Sequence, residues 1–217
     1  MILVWMWAGD RRPTTAVDIG GGIRLPTYAA GPLSHSWWAT VVVLLVAGSL
    51  FLAYVFSYLY LWTVSPQVWP EPTSLVSGVR PAASAVLLLL SGAAAVLSAR
   101  LLPAQSASRL PFTATVTLGI IALVSALGLE AWTHRSAGLN PAADAHAALV
   151  AMSLFLQVQL AAPVVIWGFF VMARLFAGHL DTRRRATVEN LKLFWLYTIA
   201  QGLVGLLLVH GFPRVLA

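Results

Sequence analysis

The residues able to do chemistry are few, and most fall near the ends of apolar runs. There are five histidines and no cysteine, so thiolate chemistry, disulfides and cysteine metal sites are excluded. His35 and His179 fall at one end of the runs, and His134, His146 and His210 at the other. A haem held between helices needs two imidazoles facing one gap. His134 and His146, close to the same surface, are the pair whose placement permits this, although a metal centre also needs partners behind its ligands. Glu130 falls near the outer end of one run, and Glu189 falls with Lys192 near the inner end of another. Deep positions carry the amides Gln157, Gln159 and Gln201 besides hydroxyls. Gln157 and Gln159, two apart, point to different faces of a helix, and bonding between helices is their expected use. A proton-relay transporter needs a carboxylate near the membrane centre, and none falls there. No phosphate-binding loop, nucleophile elbow or HExxH is present. The expectation is a chain with no catalytic residue, no metal ligand and no cofactor of its own.

The elements that position these residues follow from composition. The 217 residues are 59% hydrophobic and only 9% charged, whereas a soluble domain carries about 25% charged residues. Water cannot be the main solvent of such a surface. A bilayer core takes about 20 apolar residues per helix, and five segments qualify: 37–62, 81–99, 111–132, 146–176 and 191–212. Helix is the state expected of each, because backbone groups in lipid must be satisfied within the segment. The fourth is long enough to tilt, and Pro163 inside it is a kink position. Trp37, Trp38, Trp62, Trp69 and Trp132 stand at segment ends, as interfacial aromatics do. Small residues (Ser91, Gly92, Ala93, Ala94 and Ala95 in the second segment, Gly202 and Gly205 in the fifth) suit close helix packing. Residues 1–34 differ. The apolar stub MILVWMWAG lacks the basic flank and cleavage site of a signal peptide. It reads as an interfacial anchor or as the tail of a helix, and the polar, glycine-rich linker after it leads to the membrane domain, 35–217.

The net charge of +6 has a membrane explanation. On alternating loops, ten of the thirteen Lys and Arg residues fall on one side and only Arg80, Arg135 and Arg214 on the other. The positive-inside rule then predicts a cytoplasmic N-terminus and an outside C-terminus. The run Arg183, Arg184 and Arg185 reads first as a cytoplasmic anchor among anionic headgroups. The fold class expected is all-α, a polytopic membrane bundle of five transmembrane helices.

Around that basic loop lies a specific pattern, R-x3-G-x-L-x3-R-x4-E-x5-W, formed by Arg174, Gly178, Leu180, Arg184, Glu189 and Trp195. It resembles the penultimate loop and the start of the last helix of subunit III of haem–copper cytochrome c oxidases. SHSWWA (34–39) and LFLAYVFSYLYLW (50–62) resemble that family's early helix, and five helices resemble its short form. The N-terminal stub and linker resemble the junction of a fused subunit I and III. The sequence departs from the family in placing Gly48 where its first-helix carboxylate falls, Leu160 where a fourth-helix histidine falls, and Leu196 and Ile199 at the positions of a histidine and an aspartate. The resemblance implies an accessory subunit in aerobic respiration that packs against subunit I, with subunit II in the same complex, holds phospholipids, and supports proton uptake and stability of the complex. Haem and copper are then expected in the partner subunits. The implied lipid-binding and structural residues are Arg174, Arg183, Arg184, Arg185, Glu189, Trp195, His35, Trp37 and Trp38. Arg184 and Glu189, five apart across a loop-to-helix junction, are expected to pair. The other readings are the equivalent subunit of a quinol oxidase, a small transporter, and a b-type cytochrome built on the outer-face histidines.

Overall fold

Five long helices account for almost all of the described chain. The computed structural model describes residues 16–18, 20–22, 24–26, 35–69, 78–102, 108–180 and 185–215. The apolar stub lies outside these residues. Part of the linker pairs as a small ribbon. β1 (Ala16–Asp18) runs antiparallel to β2 (Arg24–Pro26), with Val17 opposite Leu25. The turn between them uses Gly20, Gly21 and Gly22, all at positive φ, a conformation that glycine adopts without steric cost.

The membrane domain comprises α1 (His35–Val64), α2 (Val79–Arg100), α3 (Leu110–Ser136), α4 (Ala145–Phe176) and α5 (Ala186–Leu206). A π turn (Leu207–Gly211) and a short α6 (Phe212–Val215) extend α5. Five spans are long and apolar enough to cross a membrane, and the chain is a multi-pass membrane protein. α1, α2 and α3 begin and end a few residues beyond the apolar runs that define them, because interfacial polar residues continue the helix to its caps; α4 ends with its run at Phe176, and α5 begins before its run and gives way to the π turn within it. Asp144 caps α4, its Oδ1 accepting from the Ala147 N–H at 2.7 Å. α3 and α4 both close in Schellman motifs. Gly138 and Gly178 take φ of +70° and +76°, and Leu139 and His179 donate their N–H groups to the carbonyls of His134 and Arg174.

The helices alternate in direction. The beginnings of α1, α3 and α5 share one end of the bundle, called here the near end. There Asn190 bonds the Ser36 hydroxyl and the Arg109 guanidinium donates to the Phe176 carbonyl. At the far end Arg80 bonds Ser136, and Trp62 meets Phe212 edge to face. The consecutive helices α2, α3 and α4 pack pairwise, α1 lies on α4, and α5 packs against α1, α2 and α4. α5 is accordingly the most enclosed, with 56% of its most apolar stretch buried against 22% in α1. α4 runs through Pro163 without ending.

The largest group of buried apolar side chains surrounds Trp195. A smaller one joins Phe51, Tyr54 and Tyr58 of α1 to Leu156 and Leu208. The small residues divide by face: Ser91, Gly92, Ala95, Gly202 and Gly205 are buried, whereas Ala93 is exposed and Ala94 half-buried.

Candidate functional site

Chemistry concentrates at the far end, a turn or two inside the helix termini. The buried stripe of α3 runs Phe112, Val116, Gly119, Leu123, Ala126, Glu130 and Thr133. Glu130 therefore continues the packing face of its helix instead of facing the surface. His134, one turn on, lies on the same side, and its Nε2 is 2.9 Å from Glu130 Oε1. The third member comes from α5. His210 sits in the π turn, where Leu208, Val209 and His210 are all buried, and its Nε2 also meets Glu130 Oε1. Single-turn π segments within α-helices frequently mark functional sites. Arg214 donates to the His210 carbonyl and secures the turn. The imidazoles of His134 and His210 stack with 5.4 Å between centroids and planes 4° apart. One donor atom from each of the three residues lies within 4.8 Å of the others.

The cluster opens on a crevice of about 30 Å³ between α2, α3, α4 and α5, lined among others by Ser84, Glu130, His134, Ser153, Gln157 and Gly205. Four polar atoms of these residues have no hydrogen-bond partner among the described residues: Ser84 Oγ, Glu130 Oε2, His134 Nδ1 and Gln157 Oε1. His146, read from sequence as the companion of His134, instead packs its ring against Trp69 at 5.3 Å. The residue that meets His134 is His210. Nothing local in the sequence marks that grouping, since His210 is 80 residues from Glu130; the spacing of Glu130 and His134 is the part a sequence can show.

The near end holds the residues of the basic-loop pattern. Arg185 is the N-cap position of α5 and Glu189 lies in its first turn, where a carboxylate is favoured by the helix dipole. Glu189 accepts from Arg185 Nε at 3.0 Å and from Lys192. Arg184, the partner expected from sequence, lies with Arg183 outside the described residues. Arg174 is buried, with its guanidinium 5.7 Å from the Phe170 ring centre. A wider cleft of about 480 Å³ opens beside this group, lined by Val96, Ala99, Arg100, Leu102, Arg185 and Lys192. Trp37 and Trp38 meet edge to face at 5.0 Å, and Trp38 is exposed. His35 begins α1, and its side chain lies outside the described residues.

Between the two ends the polar groups serve helix contacts. Trp195 is fully buried and its Nε1 donates to Ser91 Oγ at 2.9 Å, while Ser91 donates to the Gly119 carbonyl at 2.8 Å. Gln157 donates to the Thr198 carbonyl at 2.9 Å, while Gln159 on the adjoining face is exposed. Gln201 accepts from the Tyr197 hydroxyl one turn back on its own helix, not across helices as the sequence suggests. In comparisons with known proteins, no family model matches the chain and no curated protein matches it.

Proposed function

We propose that the chain is a non-catalytic accessory subunit, the counterpart of subunit III, in a bacterial haem–copper terminal oxidase. In this reading it sits in the cytoplasmic (inner) membrane with its near end toward the cytoplasm and its C-terminus outside, as the distribution of basic residues favours. It packs against subunit I and belongs to a complex that includes subunit II; the haem and copper are theirs. It holds phospholipid and supports proton uptake and the durability of the complex. The electron donor, cytochrome c or quinol, is set by the other subunits.

The observation that carries the reading is the gathering of Arg174, Glu189 and the cleft of Arg100, Arg185 and Lys192 at one end of the bundle. A phospholipid phosphate is the natural guest of a cationic cleft at a membrane surface, and two of the gathered residues, Arg174 and Glu189, belong to the pattern that resembles subunit III. The apolar flank of α1, with Val42, Val46, Leu52 and Phe56 exposed, offers a surface for lipid or for a neighbouring subunit. The polar interactions of Trp195, Ser91 and Gln157 join helices, which suits a scaffold.

Purification in a mild detergent through a tag on this chain tests the proposal. The expected result is co-purification of a haem- and copper-bearing subunit, with an oxidase spectrum in the complex and no haem on this chain once separated. A chain that purifies alone, intact and colourless would overturn it.

A further inference from the structure

The far-end cluster is not accounted for by an accessory role, and it stands independently of that role. We propose that Glu130, His134 and His210 form a binding site for one divalent transition-metal ion of the zinc class, with water or another small ligand completing the coordination from the crevice.

The donor set is the first ground. Two imidazole nitrogens and one carboxylate oxygen, all within 4.8 Å of one another, are the protein ligands of open His2Glu zinc sites. Such a set suits zinc, copper(II) or nickel(II) better than magnesium or calcium, which prefer oxygen alone. The ligands come from two helices far apart in sequence. They are held by packing, with side chains only 9–12% exposed.

The second ground is the arrangement of hydrogen bonds. A carboxylate serving only as an acceptor for two imidazoles has two oxygens to offer. Here both Nε2 atoms converge on Oε1, while Oε2 has no partner among the described residues. Leaving polar atoms unpaired in an apolar medium is costly. An ion at the point of convergence would take the two Nε2 lone pairs and the carboxylate, and water on its open side would reach the crevice. That crevice has about 30 Å³ of room, enough for one or two waters, and Ser84 Oγ and Gln157 Oε1, both without a partner among the described residues, line it.

The third ground is position. Glu130 lies six residues before the end of α3, or about 9 Å inside it at 1.5 Å per residue. An ion can reach this depth from the aqueous surface without crossing the hydrocarbon core. The π turn that carries His210 is a local departure from regular helix, of a kind frequent at functional sites.

The test uses the full chain in detergent, purified through a histidine-free tag and stripped with chelator, then titrated with Zn2+ by calorimetry. One equivalent should bind saturably. Glu130→Gln, His134→Gln and His210→Gln should each weaken binding by at least about 10-fold, and His179→Gln, at the near end, should leave it unchanged. Melting of each metal-free variant reports whether it remains folded. A readout on the unmutated chain keeps the proposal falsifiable whatever the variants do: bound Cu2+ should show electron-paramagnetic splitting from two imidazole nitrogens. Absence of saturable Zn2+ binding, binding undiminished in the triple variant, or a Cu2+ spectrum without nitrogen splitting would each overturn the site and leave the cluster a hydrogen-bonded ion group.

Discussion

A single hydroxyl, that of Ser91, connects three helices: it accepts from Trp195 on α5 and donates to the Gly119 carbonyl on α3. Trp195 is fully buried, so Ser91→Ala leaves its indole N–H unpaired in the interior. The expected loss of stability is about 0.6–2 kcal/mol, the range found for interhelical hydrogen bonds in membranes, measured by reversible unfolding in mixed micelles. The ion pairs of Glu189 belong to another regime. Its partner Arg185 is 54% exposed, and pairs of this kind contribute about 0–1 kcal/mol. Glu189→Gln should therefore shift the same unfolding transition much less than Ser91→Ala. A result in the reverse order would move the structural weight from the buried hydroxyl to the surface.

Helix pairs owe their closeness to missing side chains. A methyl group on Gly119 would lie 2.7 Å from the Cβ of Ala94 and 2.9 Å from the Trp195 ring, so α2, α3 and α5 would have to part. Gly119→Ala is expected to cost about 1–3 kcal/mol, as overpacking of a tight core does. Gly128→Ala on the same helix, with nothing within 4 Å, should be neutral or stabilise by up to about 1 kcal/mol through helix propensity. Thermal unfolding of the two variants side by side checks the contrast. The helices themselves were legible from the lengths of the apolar runs: the stretch 37–62 became His35–Val64, and 146–176 became Ala145–Phe176. Their partners were not. Lipid tails are as apolar as a packed interior, so a stripe of leucine and valine does not say which face turns inward. Gly119 carried no more signal than Gly128. The same limit applied to the far-end cluster. The spacing of Glu130 and His134 was visible, but that Glu130 is buried and that His210 is its other neighbour depended on helix pairing and on a π turn. The sequence marks the linker only as polar and glycine-rich; its three consecutive glycines form the turn of a small ribbon.

Across the whole molecule the two ends are unlike. The near end gathers Arg100, Arg185 and Lys192 around an open cleft, and the far end encloses a carboxylate between two imidazoles. Replacing all three cations by glutamine should leave the fold intact and remove tightly held anionic phospholipid, read as lost lipid adducts in native mass spectrometry. Retention of the same lipid would place its binding elsewhere. The uneven burial of the helices also bears on biogenesis. Without α5, the close helix contacts form an open row from α2 through α3 and α4 to α1; α5 closes that row into a bundle, and it is the last of the five to leave the ribosome. The four earlier helices must therefore wait in the bilayer with the faces that α5 covers bare until α5 (Ala186–Leu206) has been made. A stop codon ahead of the fifth helix is expected to yield an inserted product that never closes.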